Sequence, residues 1–429
     1  MELTRRELLG MGAMGAAYAY FFGPDVLFAD GGPPGPALAN DRILVVLQLS
    51  GGNDGLSTVV PFGDDAYGRA RQATRIAAGD VLKIDDYLGL HPNLKGLRKL
   101  LEDGKLAIVQ GVGYPNPTRS HFQAMDVWHA ADRNGRKARH GWLGRLADTA
   151  FRGSEDPNLV IHIGNRIPFS LEAAEKRPIA FTAPQAYRWV GAPNEEAVLE
   201  KAAPLCEDCE MHAKGEAHAP AHDPSDPKHK GRDAALERMR KVLHEAQESS
   251  EDVRTAARTY EPKVAYPASP LSGSLATVAA LITGGLKTRI YSVETGGFDT
   301  HTGQRPRHDR LMNDVDSALT AFVRDLEARK LSDRVTVLAF SEFGRRVQEN
   351  GSQGTDHGVA GPMFLAGAGV KGGLHGKHPS LVDLDAGDLK HTTDFRSVYA
   401  SVVGDWFGAD PKEVLGGDYK KLELLRRPG

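Results

Sequence analysis

An α/β fold with a mostly parallel central sheet is the class this sequence predicts. Three observations carry that reading. Apolar runs of strand length recur at residues 41–50, 105–111, 159–163, 289–293 and 334–340. Near-continuous runs of this kind suit strands buried on both faces, as in a parallel sheet. Amphipathic helical stretches separate them, so strand and helix alternate along the chain. Several of these strands then stop in glycine-bracketed turns that carry Asp, Glu or His. Open α/β sheets keep their sites at that carboxyl edge.

The chain has 429 residues, more than one small core needs but within the range of large α/β domains. A net charge of −3, with basic residues scattered rather than gathered in a stripe, gives no nucleic-acid signature. Hydrophobic residues make up 41% and charged residues 25%, the balance of a soluble globular protein. The N-terminus reads as a targeting segment, residues 1–39. Thr4-Arg5-Arg6-Glu7-Leu8-Leu9 is a twin-arginine pattern, a weakly apolar Gly/Ala-rich run follows, and Ala37-Leu38-Ala39 offers a small-x-small cleavage site. The expected partner is the twin-arginine (Tat) export machinery, and the expected location is periplasmic or secreted. No later stretch approaches 18 apolar residues, so no stable membrane span is expected after cleavage. Residues 40–429 read as one α/β domain.

Taken in order, the first strand (41–50) ends in Gly51-Gly52-Asn53-Asp54-Gly55. An amphipathic helix at 91–102 carries Leu94, Leu97, Leu100 and Leu101 at helical spacing. The second strand (105–111) leads to a proline-rich turn that forbids helix until about Ser120. Ser120 then reads as an N-cap, with Gln123 completing a capping box. As a nucleophile, the same serine would have an exposed hydroxyl beside a positive helix end. Strands follow at 159–163 and 178–181. Residues 194–265 look like an insertion, rich in Cys and His and then helical. Cys206, Cys209 and His212 form a Cys-x-x-Cys-x-x-His run that suits a separate zinc site, a local disulfide or a solvated loop. A buried helix at 273–284, a strand at 289–293 and a long amphipathic helix at 308–331 come next. The strand at 334–340 is followed by Ser341-Glu342-Phe343-Gly344-Arg345. Gly354-Thr-Asp-His-Gly358 and an apolar run at 362–366 precede a C-terminal helix at about 394–407.

Asp54, Asp299, His301, Glu342, Asp356 and His357 all lie just past a strand or in glycine-bracketed turns. In a parallel sheet these groups converge on one edge. Asp, Glu and His together suit a divalent metal such as zinc, manganese or calcium.

The segments Leu47-Gln-Leu-Ser-Gly-Gly-Asn-Asp-Gly55, Arg119-Ser-His-Phe122, Gly296-Gly-Phe-Asp-Thr-His301, Phe340-Ser-Glu-Phe-Gly-Arg345 and Thr355-Asp-His-Gly358 resemble the DUF1501 family of exported bacterial proteins. That family is grouped with the alkaline phosphatase superfamily, alongside sulfatases and cofactor-independent phosphoglycerate mutases. The resemblance implies a three-layer sandwich with helices on both faces of the sheet. It implies a metal-bridging role for Asp54 and a nucleophilic role for Ser120. Asp299 and His301 would hold one metal, with His308 as an alternative partner because superfamily spacing is usually wider. His357 would complete that site. The superfamily's late Asp-His pair reads Glu342-Phe343 here, so one imidazole is missing, and His121 is a candidate to fill in. Arg119 or Arg345 would fork onto phosphoryl oxygens. A formylglycine sulfatase is disfavoured, because neither Cys206 nor Ser120 is followed by x-Pro-x-Arg. The resemblance therefore implies an exported phosphoesterase with an anionic small-molecule or polymer substrate. The alternative is a non-catalytic binding or assembly protein that keeps the fold.

Overall fold

The computed structural model describes residues 41–132, 135, 138–188 and 227–426. Residues 1–39, expected to be an export segment, and the Cys206, Cys209 and His212 run lie outside them.

The main sheet is built on β1 (Ile43–Leu49), all seven of whose residues are buried. Its side chains alternate between two cores. Ile43, Val45, Leu47 and Leu49 point into one hydrophobic cluster, and Leu44 and Val46 into the other. This is the period of two that a strand imposes, with both faces covered. On the first face lie α3 (Lys95–Glu102), α7 (Pro270–Thr283) and α8 (Gln304–Ala328). On the second lie α4 (His121–Ala130), α5 (Trp142–Ala150) and α9 (Phe395–Ser401). The three-layer α/β arrangement is the one expected. Two short helices near the site are α1 (Gly55–Thr58) and α2 (Asp65–Ala70). Residues 227–259 form the single long helix α6 (Pro227–Thr259), whose Val253 and Ala256 reach the first core.

The other strands are β2 (Leu106–Gly113), β3 (Val160–Ile163), β4 (Ile179–Phe181), β5 (Ile290–Thr295) and β6 (Val335–Phe340). After β6 the chain makes a two-stranded ribbon, β7 (Arg345–Glu349) and β8 (Thr355–His357). It re-enters the sheet as β9 (Gly361–Ala366), followed by β10 (Gly373–His375) and β11 (Thr393–Asp394). The order is β10-β2-β9-β6-β1-β5-β3-β4, with β11 also on β2. All pairings in this sheet are parallel except those of β9, which runs antiparallel to β2 and β6. That reversal places the site. β1, β5 and β6 leave the sheet at one edge, and β9 enters there. The loops after the first three and the residues just before β9 therefore meet. Among the described residues no helix is long and apolar enough to cross a membrane.

Candidate metal centre

The turn after β1 sets the spacing at this edge. Gly51 has φ +118°, and a Cβ there would come within 2.5 Å of the Asp299 backbone nitrogen. Only glycine lets the two loops approach so closely. Arg345 then ties the loops together. Its guanidinium is buried and donates Nε–H to the Gly52 carbonyl (2.7 Å), Nη1–H to Thr355 (2.8 Å), and Nη2–H to Gly51, to Phe298 (3.1 Å) and to the Asp299 carboxylate (2.7 Å). One planar donor fork thus satisfies carbonyls of the turns after β1 and β5 and of the start of β8.

Four side chains converge above this knot. His121 is the first residue of α4, Asp299 and His301 follow β5, and His357 ends β8. The donor atoms of His121, Asp299 and His357 all lie within 4.8 Å of one another. His301 Nε2 is 2.9 Å from His357 Nε2, and each of these atoms is 3.1 Å from Asp299 Oδ1. His121 Nε2 is 3.5 Å from Asp299 Oδ2.

The outer partners decide which ring nitrogen carries the proton. His357 Nδ1 is 2.8 Å from the Arg119 carbonyl, which can only accept, so Nδ1 is the protonated nitrogen. His121 Nδ1–H donates to Glu342 Oε1 at 2.7 Å, and His301 Nδ1–H to Asp356 Oδ1 at 3.2 Å. Both carboxyls are held ionised. Burial pushes Glu342 up, but hydrogen bonds from His121 and the Gly51 N–H outweigh it and leave it below the usual range. Asp356 is lowered chiefly by the Asn350 amide. In the neutral rings, all three Nε2 lone pairs therefore face inward; the Glu342 hydrogen bond raises the His121 pKa, so a metal at that nitrogen competes with a proton. Burial lowers His357 below the usual imidazole range, favouring that neutral form. Asp299 supplies the negative charge. Burial raises its pKa, yet the Arg345 guanidinium and His357 bring it down to about 2.

The arrangement asks for a cation. Asp299 Oδ1 takes Arg345 Nη2–H at 2.7 Å, and the two imidazole Nε2 atoms within about 3 Å of that oxygen are placed to share one further positive charge, a proton or a metal ion. His121 Nε2 is buried without a hydrogen-bond partner, an orphan that an ion would satisfy. Imidazoles whose other N–H is fixed by a carboxylate or a carbonyl are the usual setting of metal-ligating histidines. The donor set fits the metal implied by the sequence.

The model of the family described as "Protein of unknown function (DUF1501)" matches residues 41–415. The chain belongs to the DUF1501 family. No curated protein matches it. Among solved structures, the DUF1501 chain is similar to the PsFucS1 sulfatase from Pseudoalteromonas sp., with 10% identity, TM-score 0.40, and coverage of 100% of this chain and 78% of that one. It is similar to the C-terminal periplasmic domain of EcEptC from Escherichia coli, solved with Zn, at 11% identity and TM-score 0.32, covering 77% and 76%. It is also similar to a mutant of the alkaline phosphatase PafA, at 10% identity and TM-score 0.32, covering 73% and 64%. At these scores none of the three bears on what the chain does.

Of the residues singled out in this DUF1501 sequence, the structure brings Asp299, His301 and His357 together, and His121 completes the group. Glu342 and Asp356 stand behind it, as hydrogen-bond acceptors for His121 and His301. Asp54 is elsewhere in its bonding. It is fully buried and accepts from both Nη of Arg71 (2.6 and 3.1 Å), from Ser57 Oγ (2.7 Å), from the Leu56 N–H (3.3 Å) and from the Gln304 amide. Five donors exhaust its lone pairs, so no metal-bridging position is left. Arg71, seventeen residues downstream, carried no motif that would have revealed it. His308 is buried beside His91, with Nε2 3.2 Å from Asn53 Oδ1, and does not join the cluster. Arg345 is spent on backbone carbonyls and on Asp299, so it has no fork for a substrate. Arg119 pairs with Asp388, and its carbonyl holds His357. The capping box does not form. Ser120 is the N-cap of α4 without a side-chain cap bond, and Gln123 accepts from Thr118 instead. Phe343, where an imidazole was expected, is buried and packs on the rings of His121 (4.8 Å) and His357 (4.9 Å).

Proposed function

We propose that this DUF1501 chain is an exported, metal-dependent hydrolase of anionic esters, specifically a phosphoesterase. The observation that carries the proposal is the inward convergence of three imidazole Nε2 atoms and the Asp299 carboxylate, each imidazole anchored at Nδ1. His121, His301, His357 and Asp299 would hold one divalent ion. Three nitrogens and one oxygen favour zinc over calcium or manganese, which prefer oxygen donors. When bound, such an ion lowers the pKa of a coordinated hydroxyl and neutralises anionic oxygens.

The chain's own residues supply the rest. Ser120 sits immediately before His121, at the positive end of a ten-residue helix, and its hydroxyl makes no cap bond. It is the proposed nucleophile. Its oxygen would lose its proton to solvent and bond to phosphorus as the ester's alcohol oxygen leaves and takes up a proton from water; a second water would then displace the serine oxygen and release phosphate. Glu342, Asp356 and the Arg119 carbonyl keep the ring tautomers in place. Phe343 takes the space of the missing imidazole, which supports one metal rather than two. It also favours the second reading, a binding protein with a metal but no turnover.

Metal analysis of protein purified without chelator, beside the Asp299→Ala/His301→Ala double variant, tests the centre. Bound metal in wild type and none in the variant is expected. A panel of phosphate mono- and diesters, with Ser120→Ala as control, tests the chemistry. Activity lost in Ser120→Ala supports the phosphoesterase, activity that survives it removes the nucleophile, and metal without activity supports the binding protein.

A further inference from the structure

Beside the centre, two arginines share one buried carboxylate. Asp388 pairs with Asp385 in a short hairpin and is 1% exposed. Arg119 donates Nε–H to Asp388 Oδ2 at 2.8 Å and Nη2–H to the same oxygen. Arg346 comes from the other side, with Nε 3.8 Å from Oδ1, beyond hydrogen-bond reach. That Oδ1 is buried and makes no hydrogen bond. The two arginine side chains are 43% and 36% exposed. Asp388 thus lies between two partly exposed positive side chains, and Arg346 also acts on the Asp356 carboxylate behind His301.

Both stems flank His357. The Arg119 carbonyl accepts from His357 Nδ1, and Arg346 follows Arg345, which lies opposite His357 in the β7–β8 ladder. Among the described residues, Asp299 pairs with Arg345 and the histidines, not with Arg119 or Arg346. The arginine pair is therefore adjacent to the four donors and distinct from them. Guanidinium forks match the oxygens of tetrahedral oxyanions, and a carboxylate that fixes their planes lowers the ordering cost of binding.

We propose that Arg119 and Arg346, held over Asp388, form a second oxyanion subsite that takes a phosphate or sulfate group of the substrate other than the one cleaved. The word substrate rests on the hydrolase reading; the anion binding does not. The substrates of choice are then esters with at least two oxyanion groups.

The test uses full-length protein stripped of metal and titrated calorimetrically at low salt with inorganic phosphate and, separately, inorganic sulfate. Wild type, Arg346→Gln and Arg119→Gln are compared. Arg346→Gln is the variant least able to disturb the fold, because Arg346 makes no hydrogen bond to Asp388, and its melting temperature is checked against wild type. The expected result is saturable binding to wild type, weakened roughly tenfold in each variant, in keeping with loss of a charge-assisted contact. Tighter phosphate assigns a phosphate group and tighter sulfate a sulfate group. No saturable binding to wild type, or equal binding by Arg346→Gln, overturns the subsite. Because the protein is metal-free, this outcome is independent of whether the metal centre or the hydrolysis stands.

Discussion

Glu342 and Asp54 were indistinguishable in the sequence, each a carboxylate just past a strand. The structure separates them by their donors. Glu342 is 2% exposed and takes His121 Nδ1–H at 2.7 Å and the Gly51 N–H at 2.9 Å. Removing its charge should loosen the ring that it orients. Glu342→Gln is expected to weaken metal affinity by roughly 10- to 100-fold, the usual loss for an outer partner of a ligating histidine. Competition with a chromogenic chelator reads this, and unchanged affinity would remove Glu342 from that role. Asp54 faces Arg71 instead. Burial raises the Asp54 pKa, but Arg71 and Ser57 carry it well below the usual carboxylate range. Asp54→Asn leaves Arg71 buried and unpaired, at a cost of about 3–5 kcal/mol. Urea denaturation should show that loss while metal content per folded chain stays at the wild-type value. A metal-bridging Asp54 would give the opposite pattern.

Strands and helices were legible because apolar runs and helical spacing reflect burial directly. β1 and β6 fall inside the runs that predict them, β2 and β5 each run two residues past theirs, and α8 carries the stripe read between 308 and 331. The run before residue 366 gave no direction, because apolarity does not distinguish a parallel from an antiparallel strand. Yet β9's reversal is what returns His357 to the edge. His121 was a secondary candidate for a similar reason. A histidine in the first turn of a helix has no local signal, and its role appears only when α4 docks beside the β6 loop. Gly51 was legible as a turn but not as a spacer between two loops. Gly51→Ala puts a side chain at φ +118° and a Cβ 2.5 Å from the Asp299 nitrogen. Stability should fall by about 1–3 kcal/mol from backbone strain alone, and metal affinity should fall with it as Asp299 shifts. A melting curve and a metal titration on the same variant check both.

The whole molecule stores part of its pH dependence away from the centre. Burial lowers His162 and His308 to about 4. An unfolded chain has ordinary histidines near pH 6.5, so between about 6.5 and 4 it binds protons that the folded chain refuses. The contribution of these residues is fully present above pH 6.5 and is lost as pH falls toward 4, on the order of 3 kcal/mol each. Urea midpoints measured across that window should decline. Replacing His162 with Gln should flatten the decline, and an unaltered slope would show that His162 does not carry it.

Three imidazoles and one carboxylate from three chain segments, the start of α4, the loop after β5 and the end of β8, would hold a single ion. X-ray absorption at the metal edge of protein purified without chelator tests it most directly. The account predicts a first shell of nitrogen and oxygen only, at about 2.0–2.1 Å, with the multiple-scattering signature of about three imidazoles. A shell containing sulfur at about 2.3 Å would place the metal at Cys206 and Cys209 and contradict the account.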